Sequence, residues 1–471
     1  MSAPRHTSTL ELLQGGRAAH SLALAGGVAL HAINVYIATT IMPSVVASIG
    51  GLSYYAWNTT LFVVASILGS ALAYALMGRL GPRHAYLVSL LIFVLGSALC
   101  GSATSMPMLL LGRTVQGLAG GLLMALSYAM IRIVYEPRLW PSALAFVSAM
   151  WGVATLSGPA LGGFFAGLGV WRLAFWCLFP LVPVIALLVI RNVPKRLDSA
   201  AAVVGVSIPK LLLLTAAVMT ISVASLSNQT LINAGGLVLG LLLVAAVMRM
   251  DVRGPLPLLP TGAYRLRSPL GASFFTMAAL IFGLTSEIFV PYFLQVIHQV
   301  HPMTAGYLTA TMSGGWTLAA LLFSGRQGAQ ADRQIRLGPA IVGGGLLALA
   351  ILMPIPALNT HWLGWAGLIL SLVGVGFGVG FCWAHLASRV FSQAPAGQEN
   401  LTSASVITVQ LVAMAVGAAF AGVVVNAAGM VEPGGVEGAV QAARWLFLAF
   451  AVLPLLGIRT ARDAARAAPK G

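Results

Sequence analysis

Acidic side chains are scarce in this sequence. Ten Asp and Glu stand among 471 residues, against 25 Lys and Arg, and all charged residues together make up 7%. A soluble core of this size would leave far more charge on its surface. Cysteine is scarcer still: Cys100, Cys177 and Cys382 lie singly in apolar segments without ligand spacing. They read as small core residues, and no metal or cofactor is implied. No ATP-binding loop occurs, and no loop gathers a His/Asp/Glu or Cys set able to do chemistry, so an enzyme is not expected. The first twenty residues are polar, with Arg5, Glu11 and Arg17 and no cleavable signal pattern, so the first apolar run is expected to stay in place.

What is abundant is hydrophobicity: 59% of the residues, with a mean hydropathy of +0.94. The expectation is an all-α polytopic membrane protein. A hydrocarbon core of about 30 Å needs about 17–25 apolar residues per helix. Fourteen such runs can be drawn, at 22–49, 57–77, 85–102, 108–133, 143–168, 173–190, 211–227, 231–248, 270–296, 304–323, 338–355, 363–386, 402–425 and 445–458. An even number puts both termini on one side. With that side cytoplasmic, nearly every Arg and Lys falls in an inner loop or tail, leaving Arg172 and Arg444 outside. The positive charge therefore reflects topology and not a nucleic-acid partner; the expected partner is the lipid bilayer.

The runs group as six, two and six. Polar, proline-bearing stretches at 191–209 and 249–269 bracket the middle pair. The expected organisation is a six-helix bundle over 1–195, a linker with two extra helices over 196–268, and a second six-helix bundle over 269–471. Glycine- and arginine-bearing loops stand at comparable positions of the two halves: Gly78-Arg79-Leu80-Gly81-Pro82-Arg83 and Gly328-Ala329-Gln330-Ala331-Asp332-Arg333. That pattern suggests duplication.

Arg113 lies inside the fourth run. An ionised side chain in lipid costs roughly 2.5–3.5 kcal/mol even on insertion scales, so it needs a partner or a wet cavity. Gln116 and Gly117 share its helix face, and Gly117 with Gly121 forms a small-xxx-small pair for close helix approach. Two readings stand: the wall of a solute path, or a structural arginine that fixes helix register. In the fifth run Pro159, flanked by Gly158, Gly162 and Gly163, removes a helical hydrogen bond beside a glycine face, which suits a hinge or a packing kink. Glu287 is the carboxylate left inside a run, and Pro291 four residues on frees its carbonyl. It reads as a proton carrier or a site for a cationic solute, or else as an acid paired with Arg113 or held in packing. His31, Asn34, Tyr36, Asn58 and Gln410 are further candidates to line a cavity.

Arg113-x-x-Gln116-Gly117 and Gly158-Pro159-x-x-Gly162-Gly163 resemble the fourth- and fifth-span signatures of the major facilitator superfamily. The second is similar to the motif of its drug:proton antiporters. The fourteen-run count, Trp171-Arg172 and the run Pro255-Leu256-Pro257-Leu258-Leu259-Pro260 resemble its fourteen-span branch. The resemblance implies two six-helix bundles rocking around a midplane cavity. It also implies proton-coupled export of amphipathic organic compounds or drugs across the plasma (inner) membrane, with a small molecule and protons as partners. An inner gate would then involve Arg79, Arg83, Asp332 and Arg333. Two departures stand out. Asn34 occupies the place of an aspartate common in that branch, and an amide does not exchange protons. Gly78 stands where the inner-loop motif has its acid. With the first-span acid missing, the runner-up is a carrier of organic anions using Arg113, and a third reading is a transport-derived membrane sensor.

Overall fold

The computed structural model describes residues 12, 14, 17–196, 207–227, 229–356 and 362–466. It is helical, with no strand among the described residues. In chain order the helices are α1 (Arg17–Ile49), α2 (Trp57–Leu80), α3 (Pro82–Gly101), α4 (Met106–Val134), α5 (Trp140–Gly167), α6 (Leu173–Trp176), α7 (Leu181–Asn192), α8 (Ile208–Ala224) and α9 (Thr230–Arg253). Then follow α10 (Pro269–Thr285), α11 (Val290–Val296), α12 (Pro302–Phe323), α13 (Ala329–Leu352), α14 (Trp362–Ser392), α15 (Glu399–Ala427) and α16 (Gly435–Arg466).

Twelve segments among the described residues are long and apolar enough to cross a membrane. Two of the fourteen expected runs fall outside that set, although both are helical. Helix α8 has 17 residues, a rise of about 26 Å at ~1.5 Å per residue. Helix α12 has 22 residues but carries Thr304, Thr309, Thr311, Ser313 and Thr317, which dilute its apolar character. Two starts also differ. Helix α13 begins at Ala329 and α16 at Gly435, both well before their apolar runs. Asp332 and Arg333 therefore lie in the first two turns of a helix and not in a loop. Helix α9 runs on to Arg253, which brings the carboxylate of Asp251 into a spanning segment.

By internal contacts the chain divides into two units, Met1–Val45 with Leu61–Val206, and Val46–Thr60 with Ser207–Gly471. In the first unit α3 packs on α4, and α6 and α7 pack on α3. In the second, α13 packs on α14 and α16, α12 on α14, α8 on α9, and α10 on α15 and α16. The expected boundaries near 196 and 268 remain a proposal. The segment 197–206, which follows the first of them, lies outside the described residues.

A buried ion pair organises the connection between α9 and α10. Lys210 of α8 donates to Asp251 of α9 at 2.9 Å, with side chains 3% and 1% exposed. Lys210 also donates to the carbonyls of Pro255 and Leu256. Asp251 accepts from the backbone N–H groups of Leu258 and Leu259 and from the Tyr264 hydroxyl. Burial and the Asp251 carboxylate push the Tyr264 phenol up, so it stays a donor. The loop is fastened at its far side too: Ser405 of α15 donates to the carbonyl of Leu258. Removing one ion from such a pair leaves the other buried and uncompensated. Asp251→Asn or Lys210→Met should each cost about 3–5 kcal/mol, and the double replacement less than the sum. Thermal unfolding of the four proteins in detergent measures this.

Candidate functional site

The arginine of α4 sits in the first unit with its side chain enclosed. Arg113 is 2% exposed and donates to Gln116 Oε1 at 2.8 Å. Gln116 in turn donates to Ser97 Oγ of α3 at 2.8 Å and accepts from Cys100 Sγ at 3.4 Å. The guanidinium lies 4.1 Å from the ring centroid of Phe62 on α2, a cation–π contact. His31 of α1 stacks on the same ring at 5.3 Å and meets Trp151 edge-on at 5.8 Å. Arg113, Gln116 and His31 are thus gathered around one phenylalanine, and no carboxylate pairs with the guanidinium among the described residues. Arg113 Nε, His31 Nδ1 and both amide atoms of the fully buried Asn34 have no hydrogen-bond partner there.

Small residues make this enclosure possible. A Cβ on Gly117 would run into the backbone of Phe62, one on Gly121 into Ser66, and one on Gly120 into the His31 ring. Ser66 and Ser70 donate to the carbonyls of Gly117 and Gly121 across the same seam. On α5, Gly158 faces Tyr36 and Gly162 faces Ile37 and Thr40, so this glycine face crosses α1 inside the first unit. Gly163 is buried, and Pro159 lies within α5. Tyr36 is half-buried beside Gly158.

The second unit holds the carboxylate. The span containing Glu287 is interrupted: α10 ends at Thr285, Ser286–Phe289 is a 3-10 turn, and α11 resumes at Val290 with Pro291 in its first turn. Glu287 is half-buried on that turn, and no hydrogen bond or ion pair reaches its carboxylate among the described residues. Tyr55 packs the turn, stacked on Phe289 at 4.8 Å and edge-on to Tyr292 at 5.5 Å. Asn58 is buried at the start of α2, and Gln410 is half-buried on α15.

The four expected gate residues part company. Arg79 and Arg333 are exposed. Arg83 donates through Nε to the carbonyl of Val193 at 2.8 Å, which ties the α2–α3 turn to the end of α7. Asp332 accepts from Arg389 of α14 at 2.6 Å in a part-buried ion pair. Arg389, Phe62, Ser97 and Lys210 with Asp251 are partners that the reading of motifs missed. The ion pairs join residues 57 and 41 positions apart, without a local spacing that gives them away.

A family model described as Major Facilitator Superfamily matches residues 24–418. The chain belongs to that superfamily. A probable multidrug-efflux transporter of Mycobacterium tuberculosis is 37% identical over 450 residues, covering 93% of this chain and 92% of the relative. A multidrug transporter protein of Bacillus subtilis is 26% identical over 365 residues, covering 74% and 64%. Among solved structures, a bacterial homolog of the human lysosomal transporter Spinster covers 96% of this chain and 98% of its own, with a TM-score of 0.67 at 14% identity. This facilitator-superfamily protein is therefore a multi-pass membrane transporter with the superfamily's helical fold.

The seam between α2 and α4 yields a test. Gly117→Leu should lose at least the ~1–3 kcal/mol of an overpacked core, because the obstructing atoms are backbone. Gly152→Ala, where an added Cβ meets nothing within 4 Å, should leave stability unchanged. The yield of monodisperse protein and its melting temperature report both.

Proposed function

We propose that this transporter exports amphipathic organic compounds in exchange for protons, by alternating access in the plasma membrane. In this reading the chain makes fourteen spans with both termini cytoplasmic, α8 and α12 being the two less apolar ones. Residues 1–195 and 269–471 form the moving bundles. The relatives named as multidrug-efflux proteins support the substrate class and direction. The observation that carries proton coupling is Glu287, a carboxylate on a broken helix with no partner among the described residues. Such a group can bind and release a proton without dismantling any bond around it. Arg113 with Gln116 shapes the wall of the first bundle. The glycine faces at Gly117 and Gly121 and at Gly158–Gly163 let its helices slide in close contact, and Asp332 takes part in the inner gate.

Reconstituted into proteoliposomes with a cationic, amphipathic dye, the wild-type protein should move dye in response to an imposed pH gradient. Glu287→Gln should abolish that response while dye binding persists. An unchanged response would remove Glu287 from the mechanism.

One observation favours a second reading. The Arg113 guanidinium is held by an amide and an aromatic face, not by an acid, so its positive charge is free to meet an anion. If the solute is an organic anion, Arg113→Gln should abolish its exchange and Glu287→Gln should spare it. Counterflow of a labelled organic carboxylate in the same vesicles separates the two readings.

A further inference from the structure

The second unit contains an apolar cavity of about 500 Å3 that neither reading above employs. Its walls come from α8, α9, α10, α15, α16 and the 254–268 loop, with Val247, Leu258, Phe274, Phe282, Val412 and Leu453 among them. Tyr264 and Thr408 supply the polar side chains of the lining. A solute that must be recognised needs several placed polar groups, and this lining does not offer them. A hydrocarbon chain needs none.

The loop end of the cavity is different. A smaller cavity of about 240 Å3 shares Leu259 and Tyr264 with it and is lined by Arg265, by other residues of the same loop and by Asp251 and Val252 at the end of α9. Arg249, Arg253 and Arg267 are exposed and stand next in sequence to the lining residues Met248, Val252 and Leu266. Asp251 lines the smaller cavity, and its oxygens are committed to Lys210, two backbone N–H groups and Tyr264; Glu399, which follows the Thr261 partner Gln398, is exposed and accepts from the Gly397 N–H. Arg265 thus lines the smaller cavity and Arg249, Arg253 and Arg267 adjoin lining residues in sequence, with no ion pair at any of the four among the described residues. Basic clusters beside transmembrane helices attract anionic headgroups at about 1 kcal/mol per side chain near the surface.

We propose that this cavity holds an acyl chain of an anionic phospholipid from the surrounding bilayer, with its phosphate against Arg265 and Arg267. The lipid fills the space between the α8–α9 pair and α10, α15 and α16, and so acts as a resident ligand of the second unit. Neither Glu287 nor Arg113 lines it, so it stands whether or not either transport reading does.

The test uses the full-length protein in uncharged detergent, supplied with phosphatidylglycerol, with phosphatidylcholine of the same chains, or with inorganic phosphate. Native mass spectrometry should find phosphatidylglycerol retained about tenfold or more over phosphatidylcholine. Phosphatidylglycerol should also raise the melting temperature, and phosphate alone should not. Arg265→Gln with Arg267→Gln, both exposed and so harmless to folding, should remove the preference between the two lipids. Val412→Trp, which fills the cavity, should lower retention of phosphatidylglycerol with the arginines intact. Equal retention of the two lipids, an unchanged preference in the arginine variant, or stabilisation by phosphate alone would each overturn the proposal.

Discussion

Hydrocarbon offers no hydrogen bonds, and that constraint governs where this chain can set down a polar atom. Most hydroxyls within the helices obey it locally. Thr40, Ser66 and Thr285 each donate to the carbonyl one turn back, to Tyr36, Phe62 and Ile281, and need no outside partner. Arg113 is the costly exception, and its neighbours are arranged for it. Gln116 takes the guanidinium, Ser97 holds Gln116, and Phe62 offers its ring face. Arg113 Nε, His31 Nδ1 and both amide atoms of Asn34 in this unit still lack a partner among the described residues, as do atoms of the second unit such as Gln334 Oε1. Orphaned polar atoms collected in the first unit of a transporter are where water or a solute would find something to bind.

Close packing in both units relies on one device. In the first, Gly117 and Gly121 of α4 press on the backbone of α2 at Phe62 and Ser66. In the second, Gly376 and Gly380 of α14 press on α12 at Met312 and Trp316. Both pairs have four-residue spacing on both helices, so two glycines of one face meet two carbonyls one turn apart. A Cβ on Gly162 of α5 would meet Thr40 of α1, and one on Gly417 of α15 would meet Thr285 of α10 at 3.2 Å. The repeat that the two Gly- and Arg-bearing loops only hinted at is thus carried by helix crossings. Van der Waals contact and shared hydrogen bonds drive association where the solvent is as apolar as the side chains.

Helices were legible in the sequence wherever apolarity alone defines them. The break at Glu287 was legible as well, because Pro291 removes the donor that the Glu287 carbonyl would use. The early starts of α13 and α16 were not. Their first two turns carry Gln330, Asp332, Arg333, Glu437 and Gln441, and hydropathy reads such residues as loop although they are helical. Long-range pairs were equally hidden. Asp332 was singled out by its motif, but its partner Arg389 looked like one more inner-side charge. Phe62 was invisible to a search for polar groups, yet it is the ring on which both Arg113 and His31 rest.

Asp251 and Glu287, both in spanning segments of the second unit, differ in how much of the structure each one holds. Asp251 has a lysine, two backbone donors and a phenol around it, and a whole loop hangs from those bonds. Neutralising it would release Lys210 as an unpaired buried ion and free the backbone of Leu258 and Leu259 together. Its position is fixed by everything it holds. Glu287 holds nothing among the described residues, sits where the helix has already been interrupted, and is half-buried and not sealed. A group that must be stable with and without its proton is better served by poor local bonding than by rich bonding. The chain has placed its satisfied acid at a structural joint and its unsatisfied one at a break in a membrane helix.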